Sequence, residues 1–344
     1  MMASTKIFAA EFVCGGGFRQ RNVAAIPKPL RDEGTAMLKA LSADLSALGE
    51  VIVPLDLRVD VELPPGVRAF PIDASLPLWS QWIAAAQDCD AAIIVAPEHS
   101  GALAQAVAMM RAGAVDPVMS SGDFLRIASD KWETARAFAS QLVPHPPTFS
   151  IATIDSIDPN LANQWIMKPR DGVGSERFVI TDDLEAAKAQ LQADSVLQPY
   201  ISGLPASISL IVSGTQMHLL PAVSQVIDPH TGEYLGGSGP LDQDLQRRAT
   251  ALATRAIEAM PPMAKGFIGI DLILGEDARD DCVVEINPRL TTSYVGLRHM
   301  VEGNLAEWIL GQGTGPIRCK VSAGEVRWTP DGQVWHGSES LEVC

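Results

Sequence analysis

Hydrophobic and polar positions alternate along this chain in blocks short enough to assign element by element. Lys6–Val13 and Val51–Leu55 are apolar runs of strand length, and Ala91–Ala96 is apolar throughout. Within Glu33–Leu48, the residues Met37, Leu38, Leu41, Leu45 and Leu48 recur at helical spacing, and Gly49 stops the helix. Val67–Ile72 reads as another strand, and Trp79–Gln87 and Ala102–Arg111 as helices. Strand and helix in alternation predict a small α/β domain on a parallel sheet. The character changes near Asp116-Pro117.

The second part carries a different pattern. Gly122–Leu142 reads as one long helix holding Ser129-Asp130-Lys131, and Pro144, Pro146 and Pro147 break the chain before a strand at Thr148–Ile151. Trp165–Pro169 is a strand that ends near Lys168, and the polar, glycine-bearing Arg170–Arg177 separates it from Phe178-Val179-Ile180. Thr181–Leu191 reads as a helix capped by Thr181 or Asp182. Ser195–Ile201 is a strand with Pro199 inside it, which marks an edge or an amide that is not needed. Ser207–Val212 and Met217–Val226 predict antiparallel strands about Ser213-Gly214-Thr215, and Glu233–Pro240 reads as a loop. Asp242–Met260 is an amphipathic helix, Val295–Ile309 a second helix, and Val326–Val334 a small hairpin about Pro-Asp-Gly.

Candidate chemistry concentrates in one stretch. Gly269–Leu274 is apolar except for Asp271, and Cys282–Asn287 is apolar until Glu285 and Asn287. The turn-like Gly275–Asp280 makes the two a hairpin, which brings Asp271 beside the other two. Positions two apart on a strand share a face. A lone buried carboxylate costs several kcal/mol unless paired, and oxygen donors on one face suit a hard cation such as Mg²⁺. Arg289 adds a fixed positive charge beside them, so the set fits a triphosphate with its magnesium. The competing reading is a strand end with a solvated Glu, a turn Asn and an Asp satisfied by backbone. Upstream, the loop after Lys168 could close over phosphates with its backbone N–H groups. Gly15-Gly16-Gly17 is a tight turn without a GxGxxG frame, and the Phe18–Asn22 that follows gives no dinucleotide fingerprint. Pro97-Glu98-His99-Ser100, just past the Ala91–Ala96 strand, lies where open α/β sheets often bind ligands, and His99 there reads as a loop residue rather than a catalyst.

Composition narrows the partners. The 344 residues suffice for two or three domains, and the formal net charge of −15 argues against nucleic acid or an anionic membrane surface. An anionic ligand must then be met by individual lysines and arginines. Five scattered cysteines, with no CxxC, fit a reducing cytoplasm. The first apolar run is too short for a membrane helix, and Glu11 interrupts it. No Ser-His-Asp or Cys-His arrangement stands out.

Lys131, Lys168 before a glycine loop, the Gln198–Ile201 stretch QPYI, Asp271, and Glu285-x-Asn287 with Arg289 together resemble the ATP-grasp enzymes, in order and rough spacing, from about Asp116 to Leu310. EFVCGGG and EINPRLTTSYVGL are further similar to the tyramine–glutamate ligases of methanofuran biosynthesis and to relatives in methylotrophic bacteria. The resemblance implies an ATP-grasp fold of mixed α/β and α+β class: an N-terminal parallel α/β domain over 1–115, then a central subdomain (116–200) and a C-terminal one (201–312) that sandwich ATP, and a hairpin tail (313–344). It implies that Lys131 and Lys168 contact ATP, that Gly172, Val173, Gly174 and Ser175 close over it, and that Gln198, Tyr200 and Ile201 line the adenine hinge. Asp271, Glu285 and Asn287 would hold two Mg²⁺ ions, with Mn²⁺ as a substitute, and Arg289 would steady the transferred phosphoryl group. The implied reaction joins an acid, L-glutamate, to an amine such as tyramine or tyrosine through an acyl-phosphate. Ser293, Tyr294 and Arg298 are placed to face the acceptor. Gln198 and Ala206-Ser207 stand where many relatives carry glutamates, so ribose contacts stay open, as does a homodimer. Another ATP-grasp ligase, of dipeptide, peptide-tailoring or carbamoyl-phosphate type, and a nucleotide-binding module without turnover are the rival readings.

Overall fold

The computed structural model describes residues 5–172, 178–320, 324–337 and 339–341. Its first unit runs β1 (Lys6–Glu11), α1 (Lys28–Ser46), β2 (Glu50–Leu55), β3 (Val67–Pro71), α2 (Leu78–Ala86), β4 (Ala91–Val95) and α3 (Ala102–Ala112). The sheet order is β3-β2-β1-β4, all parallel. The period-2 alternation of β1 sorts its side chains between two cores. Ile7 and Ala9 pack with Leu38, Leu41 and Leu45 of α1, while Phe8 and Ala10 pack with Trp82 of α2 and Leu103 and Met110 of α3. Helix α1 starts earlier than its apolar stripe suggests because Pro29 sits in its first turn, where proline has no amide to lose. The Gly15 loop caps the carboxyl end of β1. A Cβ at Gly15 would lie 2.6 Å from the Glu11 carbonyl and 2.9 Å from Trp82, so this glycine is a packing requirement.

The central unit holds α4 (Gly122–Ala128), α5 (Lys131–Ser140), β5 (Trp165–Pro169), β6 (Val179–Thr181), α6 (Leu184–Gln190) and β7 (Ser195–Pro199), with an antiparallel sheet of order β6-β5-β7. The single helix expected over Gly122–Leu142 is two. Asp130 has extended backbone and its carboxylate accepts from the amides of Trp132 and Glu133, so it starts α5 afresh and puts Lys131 on its first turn. Asp183, rather than Thr181 or Asp182, caps α6. Thr148–Ile151 forms no strand, only a bridge between Phe149 and Leu197.

The last unit comprises β8 (Leu204–Ser213), β9 (Gln216–Leu219), β10 (Val223–Ile227), β11 (Tyr234–Gly239), α7 (Gln243–Glu258), β12 (Gly266–Leu274), β13 (Cys282–Asn287), α8 (Tyr294–Met300), α9 (Leu305–Ile309), β14 (Val326–Trp328), β15 (Val334–His336) and β16 (Glu339–Leu341). Its antiparallel sheet has the order β13-β12-β8-β10-β11-β14-β15-β16, with β9 paired to β8. Ala249, Leu252, Ala253 and Ala256 of α7 pack with Ile208, Leu210, Ile268 and Ile270. Strand alternation therefore turns Ser207, Ser209, Gly269 and Asp271 to the opposite face.

Two expectations are corrected here. Glu233–Pro240 is a strand rather than a loop: its glycines make room for Trp328, since a Cβ at Gly237 would lie 2.4 Å from that indole. The helix expected over Val295–Ile309 is broken after Met300: Val301 is extended, Gly303 has φ of +78°, and Asn304 caps the second piece. Trp328 and residues of α8 and α9 share one core with α1, so the first and last units are joined by apolar packing. Among the described residues, no helix is long and apolar enough to cross a membrane.

Candidate active site

The β12–β13 hairpin places the acidic residues. Asp271 is register partner to Glu285 on one side and to Ser207 on the other. The Asn287 amide donates to one Asp271 oxygen at 2.9 Å, and Gln225, from β10, donates to the other at 2.9 Å. The Ser207 hydroxyl, across the register from Asp271, donates to the Ile270 carbonyl at 3.3 Å. Asp271, Glu285 and Asn287 thus lie together. Gln225 was not anticipated: an isolated Gln in an alternating strand carries no signal, and its partner is 46 residues away.

Two lysines arrive from the central unit. The Lys131 ammonium stands 3.0 Å from Glu285 and donates to the Gly172 carbonyl at 3.2 Å. Its backbone amide donates to Arg170, whose guanidinium grips Asp130 at 3.1 and 2.5 Å, so the start of α5 is tied to the end of β5. Lys168, on β5, lies in the field of the same charges, and its ammonium has no hydrogen-bond partner among the described residues. Burial lowers its pKa to about 8, with Glu285 opposing and Lys131 assisting. Burial also pushes Asp271 up, helped by the neighbouring Glu285 charge. Glu285 goes the other way: burial would raise it, but Lys131, Lys168 and Arg289 hold it well below the usual carboxylate range.

Arg289 is close by but occupied. It grips Glu98, just past β4, through Nε at 2.9 Å and Nη2 at 3.1 Å, and both side chains are buried. Glu33, on α1, lies in the same field. Its pKa is pushed up to about 7, first by burial and then by Glu233 and Glu11, against Arg289.

The remaining expected residues divide. Gln198 is buried, and its amide donates to Thr148 at 2.7 Å. Tyr200 is exposed and Ile201 partly buried just past β7. Gly172 is described and abuts His99, whereas Val173, Gly174 and Ser175 lie outside the described residues. Ser293 is buried. Tyr294 and Arg298 do not face an acceptor. Tyr294 is fully buried and donates to Asp44 of α1 at 2.7 Å, and Arg298 grips the same carboxylate at 3.0 and 2.5 Å. The first turns of α8 aim them at α1, so their place beside Asn287 in sequence is not a place in the site.

Magnesium suits the donor set by its chemistry. Two carboxylates and an amide oxygen are hard ligands, and a triphosphate would complete the shell. Among the described residues no three His, Cys, Asp or Glu side chains gather as a metal site. The buried Ser129 hydroxyl has no hydrogen-bond partner among the described residues and lines a cavity of about 10 Å³ with Lys131, Gly172, Glu285 and Asn287. That is an orphaned donor among the groups a phosphate would need. A cleft of about 610 Å³, lined in part by Glu98, Ser129, Asp130 and Arg170, adjoins it.

Comparison with known proteins agrees with this geometry. Residues 128–293 match the model of the ATP-grasp domain, and residues 49–120 that of the pre ATP-grasp 3 domain. The chain is 26% identical over 224 residues to a tyramine–L-glutamate ligase of Methanocaldococcus jannaschii, covering 65% of this chain and 63% of that protein. A second, from Methanocaldococcus fervens, is 25% identical over 221 residues, covering 64% and 65%. The matched part spans less than two thirds of those relatives. A protein assigned to the ATP-grasp superfamily from Archaeoglobus fulgidus superposes with a TM-score of 0.71 at 22% identity, over 94% of this chain and 92% of that one. An L-amino acid ligase from Bacillus licheniformis gives 0.65 at 14% identity, over 95% and 80%. At such identities the structural likeness carries the fold.

Proposed function

From the premise that this chain carries an ATP-grasp domain behind a pre-ATP-grasp domain, we propose that it is an ADP-forming carbon–nitrogen ligase. It would activate a carboxylic acid as an acyl-phosphate and pass the acyl group to an amine. The observation that carries this reading is the convergence of Asp271, Glu285 and Asn287 with Lys131 and Lys168 on one face of the β12–β13 hairpin.

Each residue has work that follows from its placement. Lys168 and Lys131 come from the small sheet and α5, opposite the hairpin, and would hold the ATP phosphates between the two units. Asp271, Glu285 and the Asn287 oxygen would hold magnesium. When bound, that ion neutralises charge on the β- and γ-phosphates. Arg289 would meet the donor carboxylate and the departing phosphoryl oxygens with the N–H groups that Glu98 leaves free. Phosphoryl transfer asks for positioning and charge neutralisation rather than a protein nucleophile. An acyl-phosphate must also be kept from water, and α4 and α5, which pack on β13, would help to enclose it. The cavity of about 10 Å³ has room for about one water, and the adjoining cleft of about 610 Å³ would give a nucleotide its way in.

The names of the two archaeal relatives support L-glutamate as the acid and tyramine, or a tyrosine-like amine, as the acceptor. The product would then feed a methanofuran-type cofactor. Mass spectrometry after incubation with MgATP, glutamate and a panel of amines and amino acids tests this. A glutamyl amide with stoichiometric ADP supports the reading. Tight MgATP binding with no ADP from any pair would favour a nucleotide-binding module.

A further inference from the structure

Arg289 is fixed from outside its own domain. It follows Pro288 at the end of β13, and its amide closes a turn on the Asn287 carbonyl at 2.8 Å. Its guanidinium gives Nε–H and one Nη2–H to Glu98 and one Nη1–H to the Leu290 carbonyl at 3.2 Å. A guanidinium has five N–H groups, so about two remain for a ligand. The forked pairing with Glu98 sets the plane in which those two lie.

Burying this pair is a poor way to gain stability. Desolvation of two charges roughly cancels their attraction, and apolar residues of the same volume would hold the interface as well. What the pair does supply is a fixed orientation. Glu98 is itself held firmly: Gly101 donates to its carbonyl at 2.9 Å, and Ser100 and Gly101 take the left-handed backbone the tight bend needs. The same bend reaches the residues after Lys168, for the Ser100 amide donates to Asp171 at 2.9 Å and His99 packs on Gly172. One short loop of the N-terminal unit therefore touches the arginine on one side and the phosphate-facing segment on the other.

We infer that Glu98 is a positioning residue for Arg289 in the phosphoryl-transfer step, so that the N-terminal α/β unit contributes to the chemistry as well as to substrate enclosure. The inference rests on the ligase reading given above. Glu98 touches no reacting atom. It acts by presenting the two free N–H groups of Arg289 to the donor carboxylate and the transferred phosphoryl group.

The test is a double-mutant cycle of Glu98→Gln and Arg289→Lys, read by steady-state ADP formation and by Tm. Glu98→Gln keeps the volume and one acceptor oxygen but removes the charge. It should lower kcat about 10- to 100-fold, the range for partners that orient a functional side chain, and leave the KM for ATP within about two-fold. In the Arg289→Lys background the same change should cost less than about three-fold, because the group it orients is already gone. Near-normal kcat in Glu98→Gln, or losses that multiply across the cycle, would overturn the inference. So would a fall in Tm whose activity loss vanishes at lower temperature, since that is the mark of a mere tie between domains. Should Glu98→Gln fail to fold, Glu98→Asp goes through the same cycle: a kcat loss at unchanged KM supports the role, and wild-type kcat overturns it. Wild-type protein that forms no ADP with any acid and amine sinks the ligase reading and this inference with it. Turnover that is equal in wild type and Glu98→Gln sinks the inference alone.

Discussion

The Lys131 ammonium stands 3.0 Å from the Glu285 carboxylate, which the ligase reading assigns to a divalent ion. The carboxylate that pairs with this lysine is thus the one that would serve the ion when nucleotide binds. Glu285→Gln should reduce ADP formation about 100-fold or more, as for loss of a buried charge that acts in the transition state, while circular dichroism shows the fold intact. Lys131→Met should instead raise the KM for ATP about ten-fold with a smaller change in kcat. Near-normal turnover in Glu285→Gln would remove the metal assignment.

Lys168 gives a pH signature. Burial sets its pKa to about 8 in the nucleotide-free protein. The charged form is the one that binds phosphate, so MgATP affinity should be full below pH 8 and weaken as pH rises through it. Lys168→Arg keeps its charge at every accessible pH. Isothermal titration between pH 7 and 9.5 should find a slope in the wild type and a flat line in the variant. Equal slopes would assign the titration to another group.

Asp130 does two things at once: it caps α5 and takes the Arg170 guanidinium. Asp130→Ala should cost about 1–2 kcal/mol as a lost cap, seen as a lower denaturant midpoint. It should also raise the KM for ATP, because Lys131 sits on the first turn it starts. Asp130→Asn keeps the cap and loses the ion pair, so it should keep most of the stability.

Tyr294→Phe separates a structural role from an acceptor role. The hydroxyl donates to Asp44 inside the protein. Its removal should lower stability by about 1 kcal/mol and leave the KM for every amine unchanged. A selective rise in the amine KM would return Tyr294 to the acceptor site.

Trp328 rests against glycines on two elements: a Cβ would lie 2.4 Å from its ring at Gly237 and 2.1 Å at Gly296. Gly296→Ala should destabilise by about 1–3 kcal/mol through overpacking, measured by chemical denaturation. An unchanged midpoint would mean that the indole can move aside.

What could be read from the chain follows from how local each signal is. The β12–β13 hairpin was legible because Asp271 interrupts an apolar run and Glu285 and Asn287 lie two apart on the next one. The start of α5 was written in Asp130 but masked by apolar periodicity on both sides of it. Glycines argued for a loop at Glu233–Pro240, because glycine usually weakens strands. Here Trp328, about ninety residues on, requires the room they leave. Gln225 was invisible as a site residue for the same reason, and of Glu98 only its place past a strand end, where open sheets bind ligands, could be read. Their partners lie 46 and 191 positions away, and no local pattern encodes a contact of that span.

That span bears on how competence is acquired. Closing a 191-residue separation is slow and late compared with forming a hairpin. A chain whose β12–β13 hairpin has already zipped still lacks an aligned guanidinium until the first unit docks. Refolding followed by spectroscopy should therefore run ahead of refolding followed by turnover, and a nick between the two halves should silence the enzyme while much of its secondary structure survives.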